Sequence, residues 1–245
     1  MKKILLAGES WTIHSIHQKG FDSFTTTTYE TGTKWFKKAV EDKGYELVHV
    51  PNHLVQYNFP ETEEELEQFD VVILSDIGSN TFLLPDTTFS EGQKSVNKMG
   101  VIKKYVRNGG NLLMVGGYIS FSGIDGKSRY ESSPLREVLP VYCLGKDDRV
   151  EIPEGTVPNI SEHEIFKGIP KDWPYFFGYN KTRKKENAEV IATINDDPFI
   201  VIGDYGNGKT AAFTSDMAPH WGSENFVNWD YYSVLWDNLF QYLDK

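Results

Sequence analysis

The chain has 245 residues, of which 39% are hydrophobic and 14% aromatic, and this is enough to build a sizeable core. A formal net charge of -10 and the lack of a long basic run argue against binding to nucleic acid, whose phosphates would meet a repulsive field. The single cysteine, Cys143, excludes an internal disulfide and favours a reducing compartment.

The first residues, MKKILLAGESW, carry an apolar run that fits a first strand better than a signal peptide. No apolar stretch approaches the roughly 20 residues that a membrane span needs. We therefore expect a cytoplasmic protein without a membrane partner or a nucleic-acid partner.

Short apolar runs alternate with helical patterns through the first half of the sequence. The predicted elements are a strand at 3–7, a helix at 33–43, a strand at 47–50, a helix opened by a capping box at 62–65, a strand at 71–74, a helix within 90–108 and a strand at 111–115. In the helix within 90–108, the inward side chains are expected to be Val96, Ile102, Tyr105 and Val106. This alternation is typical of a doubly wound, mostly parallel α/β sheet.

The second half is predicted to add strands at 190–194, 199–202 and 210–214 and to close on an aromatic helix at 229–243. Asn207-Gly208 is a strong hairpin signal between the last two strands. We find no repeat or linker, so we expect one domain over residues 1–245.

Two stretches, 9–32 and 118–132, show no clear periodicity and are predicted to be long loops. Both follow predicted parallel strands. In open α/β sheets, ligands bind at the carboxyl ends of such strands, so these loops are candidates for a binding site.

Residues 203–210 match the phosphate-loop pattern G-x-x-x-x-G-K-[ST]. A phosphate loop needs a helix after the match, because the backbone amides and the positive end of that helix bind the phosphates together. A β-run follows here instead, so we interpret the match as a hairpin turn.

Gly116-Gly117-Tyr118 follows a buried strand in the order that a nucleophile elbow requires. Tyr118 is a poor nucleophile for acyl transfer, and Ser120 is a hydroxyl displaced from the tip. The corner either shapes a pocket only or supplies a hydroxyl for proton transfer.

His220 lies just past a predicted strand, where Asp216 or Glu224 could orient its imidazole as a base and carboxylate pair. The alternative is a histidine satisfied by backbone carbonyls. Glu9 and Asp76, like Tyr118, end predicted parallel strands, so we expect these three side chains to face one crevice.

Metal and thiol chemistry have weak support in the sequence. His14 and His17 could form a pair of ligands, but no third ligand lies nearby, and we expect neither a metal nor a cofactor. Cys143 lies in an apolar run without a flanking base and is expected to be a small buried hydrophobic residue.

Several segments together resemble the class I glutamine-amidotransferase-like superfamily and, within it, a group of bacterial glutamine-amidotransferase-like proteins. The matching segments are GESW at 8–11, SDIGSNT at 75–81, GGYISF at 116–121, GKSRY at 126–130 and TSDMAPHW at 214–221. The resemblance implies a flavodoxin-like fold, to which the hairpin predicted at Asn207-Gly208 adds a C-terminal β-hairpin. It also implies distant kinship with trehalose-utilisation-type proteins and with the non-catalytic middle domain of some β-galactosidases.

The matching segments hold the residues that we expect to bind a ligand. These are Glu9, Ser10, Trp11, Asp76, Gly117, Lys127, Arg129, Tyr130 and Trp221. Lys127 and Arg129 would supply positive charge and Tyr130 a phenol to an anionic or polyhydroxy ligand, or this segment is a solvated surface loop.

Active members of the superfamily carry a cysteine at the elbow where this chain has Tyr118, and their histidine corresponds to His220, with Glu224 only loosely in the acidic position. A glutaminase must form a glutamyl thioester, and neither a phenol nor the distant Cys143 supplies it. The resemblance therefore implies a protein without conventional glutaminase activity.

Three hypotheses remain open. The first is a glutamine-amidotransferase-like protein that binds a small polar metabolite, such as a sugar derivative. The second is a hydrolase or isomerase with His220 as base, Asp216 or Glu224 orienting it, and Ser120 or Tyr118 in the proton path. The third is an interaction module in which the aromatic helix and the loops build a homo-oligomer.

Overall fold

The computed structural model describes residues 2–245. The first half contains β1 (Lys3–Gly8), β2 (Ser10–Lys19), β3 (Asp22–Thr31), α1 (Lys34–Glu41), β4 (Glu46–Val50), α2 (Val55–Asn58), α3 (Glu63–Leu66), β5 (Val71–Ser75), α4 (Ser79–Leu83), α5 (Asp86–Phe89), α6 (Lys98–Arg107) and β6 (Leu112–Val115). The second half contains β7 (Val141–Tyr142), β8 (Arg149–Thr156), β9 (Asn159–Ile160), β10 (Phe176–Asn180), β11 (Arg183–Lys184), β12 (Glu189–Ile194), β13 (Asp197–Tyr205), β14 (Gly208–Phe213), α7 (Glu224–Val227) and α8 (Tyr232–Leu243).

Eight strands form the central sheet, in the order β4-β1-β5-β6-β14-β13-β12-β9. The pairs from β4 to β14 are all parallel, whereas β13, β12 and β9 are joined antiparallel. The protein is therefore an α/β protein with a large, mostly parallel sheet, as predicted. Residues 203–210 lie in the antiparallel β13-β14 pair, which confirms the hairpin interpretation of the phosphate-loop match.

Both faces of the sheet are covered, which explains why its central strands are continuous apolar runs. In β1, Ile4 and Leu6 face one core layer with α1 and α8, while Leu5 and Ala7 face a second layer with α6. The two-residue period of a strand divides one apolar run between two cores.

The aromatic helix α8 belongs to the first of these cores. Trp236 packs edge-on against Phe36 of α1, with ring centroids 5.3 Å apart, and Phe240 does the same at 6.3 Å. Its aromatic face is buried inside its own chain. This helix therefore does not offer the oligomer surface that the third hypothesis assigned to it.

The predicted helix within 90–108 is shorter than expected. It begins at Lys98, because the side chain of Asn97 accepts a hydrogen bond from the Gly100 N–H at 2.9 Å and caps it there. Val96 therefore lies outside the helix and is 40% exposed, so its inward placement was wrong. Ile102, Tyr105 and Val106 are buried as predicted.

Residues 9–32 were predicted to be a loop, and this prediction was wrong. Strands β2 and β3 form a two-stranded antiparallel ribbon, paired from Ser10 with Thr31 to Lys19 with Asp22. We call residues 10–31 the arm. Both of its faces are exposed, so its sequence lacks the apolar alternation that marks a half-buried strand. The other long stretch, 118–132, is irregular with short 3-10 turns.

The histidines of the arm are not arranged as a pair of ligands. His14 and His17 are three residues apart in β2, so they point to opposite faces of the ribbon. His14 contacts the hydroxyl of Thr27 at 3.0 Å, and His17 contacts that of Thr26 at 3.2 Å. Within residues 2–245, no group of three or more His, Cys, Asp or Glu is placed to hold a metal ion.

Candidate functional site

A cavity of about 340 Å³ opens at the carboxyl ends of four neighbouring parallel strands. It is lined by Glu9, Trp11, Asp76, Tyr118, Asp216, Pro219 and His220. Glu9 follows β1, Asp76 follows β5, Tyr118 follows β6, and Asp216 with His220 follows β14. The sheet order therefore brings together residues that are far apart in the sequence.

Two of the lining acids have unusual backbones. Glu9 has a φ of 49° and Asp76 a φ of 44°, a left-handed conformation that few non-glycine residues adopt. Each residue turns the chain directly at the end of its strand, and the Glu9 N–H donates to the Ser75 carbonyl at 2.8 Å. Backbone strain of this kind tends to occur at functional sites.

The acids also share an electrostatic penalty. Burial, followed by the nearby Asp216 and Asp76 carboxylates, raises the pKa of Glu9 well above its usual range. Burial first, and then Asp216, raise the pKa of Asp76 to about 6. The Ser75 hydroxyl partly offsets the effect on Glu9 by donating to Oε2 at 2.6 Å. Burial thus favours the protonated form of Glu9, and Asp76 is mainly ionised at neutral pH.

His220 is paired with Asp216. Its Nδ1 lies 3.5 Å from Asp216 Oδ2, while Asp216 Oδ1 accepts a hydrogen bond from the Ala218 N–H at 3.0 Å. The interaction with Asp216 raises the pKa of His220 above its usual value. Glu224, the other candidate partner, is exposed in the first turn of α7 and lies outside the cavity lining.

Tyr118 stands between His220 and a cation that the sequence analysis missed. Its ring is nearly perpendicular to His220, with centroids 4.3 Å apart. The guanidinium of Arg149 lies over the ring, 4.7 Å from its centroid. Asp147 holds Arg149 through two hydrogen bonds, of 3.0 and 2.8 Å. The run of charged residues at 147–149 was the available sequence signal for this contact. The pairing of β8 that brings Arg149 to Tyr118 has no signal in the sequence.

Trp221 packs next to Tyr118 at the edge of the cavity, which we call the rim. It is buried, its Nε1 donates to Glu151 Oε2 at 2.9 Å, and its ring centroid lies 5.5 Å from that of Tyr118. Trp221 therefore positions the rim and lies outside the residues that line the cavity.

The glycine corner after β6 is sterically required. A Cβ at Gly117, whose φ is 153°, would lie 2.8 Å from Asp76 Oδ1. The Gly117 N–H donates to Asn180 Oδ1 at 3.0 Å, so β10 also braces the corner. Ser120 is buried: its hydroxyl donates to the Val115 carbonyl at 2.7 Å and accepts from the Asp76 N–H at 3.1 Å.

The backbone amide of Ile119, directly after Tyr118 at the tip of the corner, already has a hydrogen-bond acceptor. The Ile119 N–H donates to Asp76 Oδ1 at 2.7 Å. In a nucleophile elbow, the amide after the nucleophile forms part of the oxyanion hole. Here a carboxylate accepts from that amide instead.

Other expected ligand-binding residues lie away from the cavity. Lys127 is exposed and pairs with Asp125 at 2.7 Å, and Arg129 is also exposed. Tyr130 is buried and its hydroxyl donates to the Ile77 carbonyl at 2.7 Å, so the phenol braces the fold. The hydroxyl of Ser10 is used at the root of the arm, where it accepts from the Asn52 N–H at 2.8 Å.

The single cysteine lines a different cavity. Cys143 is half-buried there, next to Glu131, Arg136 and Arg183. Burial raises the pKa of its thiol, so the protonated, weakly nucleophilic form dominates at neutral pH.

A mostly parallel sheet whose strand ends form a glycine elbow and a cavity indicates a glutamine-amidotransferase-like protein. The family described as "Putative glutamine amidotransferase" matches residues 3–245, and the chain belongs to that family. The resemblance seen in the sequence is thereby confirmed.

Two solved structures are similar over nearly their whole length. One is a cytoplasmic protein of Salmonella typhimurium, 48% identical, with a TM-score of 0.95 and coverage of 98% of each chain. The other is a cytoplasmic protein of Salmonella typhimurium LT2, 45% identical, with a TM-score of 0.95 and coverage of 99% of this chain and 100% of that one.

More distant likeness extends to the fold alone. A thua-like protein of Bacteroides uniformis is 14% identical, with a TM-score of 0.56 and coverage of 99% of this chain and 91% of that one. No curated protein matches the chain. Among residues 2–245, the structure has no helix with the length and hydropathy that crossing a membrane requires.

Proposed function

We propose that this protein binds a small polyhydroxylated metabolite, such as a sugar derivative, in the cavity at the strand ends, and that it does not hydrolyse glutamine. The observation that carries the proposal is the hydrogen bond from the Ile119 N–H to Asp76 Oδ1 at 2.7 Å. That contact occupies the amide that an oxyanion hole would need, and it leaves the corner suited to binding.

Acyl transfer needs a nucleophile and a free oxyanion hole. Tyr118 stands at the tip in place of the thiol that a glutamyl thioester requires. The adjacent amide is bound to Asp76, and the negative charge of that carboxylate would repel an oxyanion. Both deficiencies support the loss of glutaminase chemistry.

The same groups suit a ligand rich in hydroxyls. Asp76 and Asp216 supply acceptor oxygens, and the Glu9 carboxyl, whose pKa burial raises, donates a hydrogen bond whenever it is protonated. Trp11 and Tyr118 supply aromatic surface on the cavity wall. A small number of polar groups on an aromatic-lined cavity is typical of small-molecule sites, and about 340 Å³ is near the lower end of their size range.

A second candidate function is acid–base catalysis, as in a hydrolase or isomerase. It is favoured by the His220 and Asp216 pair, at 3.5 Å, which faces the cavity. In this case His220→Gln would fold normally and bind ligand but lose turnover.

We further propose that residues 1–245 form a single flavodoxin-like, doubly wound domain. The order β4-β1-β5-β6, with helices on both faces of the sheet, supports this winding. A cytoplasmic location is supported by the two Salmonella relatives, each described as a cytoplasmic protein.

The test is a thermal-shift panel of neutral sugars, polyols, amino sugars and amino acids, followed by calorimetry on the compounds that stabilise the protein. A ligand at a hundredfold excess over its dissociation constant should add about 2.7 kcal/mol to the free energy of unfolding. Asp216→Asn should reduce the affinity. Asp125→Asn, a matched change on the surface loop, should leave it unchanged.

Glutamine hydrolysis is tested on the same protein by ammonia release. The wild type should release none, and Tyr118→Cys alone should not restore activity, because Asp76 still occupies the Ile119 amide. A panel without any stabilising sugar or polyol would refute the binding proposal. Ammonia from either protein would refute the argument about the elbow.

A further inference from the structure

We propose that the arm, residues 10–31, is a dimerisation element that docks on the arm of a second copy of this chain. Three properties of the arm support this pairing, namely its exposure, its apolar side chains and its low charge, and none of them involves the cavity ligand.

The arm touches the rest of the protein at its root. There, Ser10 hydrogen-bonds to Asn52, and the ring of Tyr29 packs edge-on against His53 with centroids 5.1 Å apart. Beyond the root, the residues of both strands are exposed on both faces, apart from partly buried Ser15. A two-stranded hairpin on its own is marginally stable in water, so a ribbon with ten residues in each strand calls for a covering surface.

Apolar side chains populate this exposed ribbon. They are Trp11, Ile13, Ile16, Phe21, Phe24 and Tyr29. Ile16 is 78% exposed, Phe24 is 48% exposed, and Phe21 at the tip is fully exposed. Together, the six expose on the order of 600 Å² over the two faces and the tip of the ribbon. A partner that wraps around the ribbon therefore reaches most of the roughly 800 Å² that each partner buries in a stable protein–protein interface.

The arm also lacks the features that protect a free edge strand. Residues 10–18 and 23–29 contain no Asp, Glu, Lys or Arg, although 24% of the chain is charged. Native edges are usually blunted by such charges, by proline or by bulges, and interface cores are depleted of charge. The run Thr25–Thr28 has high β-propensity and leaves one edge of β3 open to pairing.

A second copy fits this surface better than a different protein. The whole chain has a net charge of -10, whereas the arm carries only Lys19, Asp22 and Glu30. Two copies of the acidic chain repel each other. Contact through the nearly neutral arms joins the two copies while keeping the rest of each chain apart, which reduces this repulsion. An antiparallel edge can pair with an identical edge about a two-fold axis, so the arm is complementary to itself.

Sedimentation velocity at micromolar concentration tests the proposal. The wild type should sediment as a dimer of 28.0 kDa chains. The double variant Ile16→Glu/Phe24→Glu places a charge on each face of the ribbon and should raise the dissociation constant at least about 100-fold. Phe89→Glu, at an aromatic side chain that is 75% exposed on the body, is the matched control and should remain dimeric.

A second variant guards against misfolding of the first. Replacing residues 13–28 with Gly-Gly removes most of the ribbon but keeps Ser10 and Tyr29 at its root, and this protein should be folded and monomeric. A monomeric wild type would overturn the proposal, whether its arm then binds lipid vesicles, another protein or nothing. A dimer that persists after deletion of the arm would overturn it as well.

Discussion

Replacing Asp76 with asparagine removes a charge that the folded protein holds at a cost. The pKa of Asp76 is raised from 3.8 to about 6 by burial and by Asp216. Each pKa unit corresponds to about 1.4 kcal/mol, and the cavity opens to solvent, so we expect a destabilisation of about 1–3 kcal/mol from ionised Asp76. Asparagine Oδ1 can still accept from the Ile119 N–H, so the corner keeps its hydrogen bond.

The direction in which stability changes with pH follows from the number of protons that each state binds. Because the folded-state pKa is the higher one, the folded protein binds more protons between about pH 4 and about pH 6, and its stability falls as the pH rises through that window. Asp76→Asn should therefore be more stable than the wild type by about 1–3 kcal/mol at neutral pH. Near pH 4, where wild-type Asp76 is protonated, the two proteins should be nearly equal.

Urea unfolding across this pH range measures the difference directly. Asp148 also has its pKa raised to about 6 by burial, so the wild-type profile contains more than one titration. Subtracting the variant profile removes the Asp148 titration and leaves Asp76 together with its effect on Glu9 and His220, whose pKa values the Asp76 carboxylate raises. The exposed Asp125→Asn serves as the control. A variant that is less stable at neutral pH, or a difference independent of pH, would refute the electrostatic reasoning.

Three further changes test other contacts. Gly32→Ala would place a Cβ 2.1 Å from Glu9 Oε1, and it should lower the free energy of unfolding by about 1–3 kcal/mol in urea titrations. An unchanged midpoint would contradict that close approach. His220→Gln loses the pair with Asp216, whose stabilisation is full below the unfolded-state pKa of histidine and is lost as the pH rises through the raised folded-state value. Its destabilisation should thus be larger at about pH 5 than at about pH 9, and a constant difference would count against the pair. Calorimetry with ATP should show no binding to the wild type or to Lys209→Ala, whereas Lys209-dependent heat would argue for a phosphate site.

The parallel strands were predictable because a strand that is buried on both faces appears in the sequence as a short, continuous apolar run. Strands β1, β5 and β6 are short apolar runs that end at polar or glycine residues, and the alternation of strands with helices predicts that they pair in parallel. The arm could not be recognised in the same way. Its exposed faces carry no burial pattern, and pairing between its strands is set by backbone hydrogen bonds that any sequence can make.

The site was predictable only where sheet topology decides it. Glu9, Asp76 and Tyr118 were expected to meet because they follow parallel strands, and they line one cavity. Lys127 and Arg129 depended on how an irregular loop folds back, which no local pattern encodes. Arg149 reaches Tyr118 through the antiparallel pairing of β8 with β10, whose partners are far apart in sequence.

Crystals soaked with a mixed panel of sugars, polyols and amino sugars test the central claim most directly. Our account predicts electron density for a polyhydroxylated compound in the cavity, against Trp11 and Tyr118, with its hydroxyls on Asp76, Asp216 or Glu9. A cavity that stays empty at saturating concentrations, or one that holds only glutamine, would contradict it.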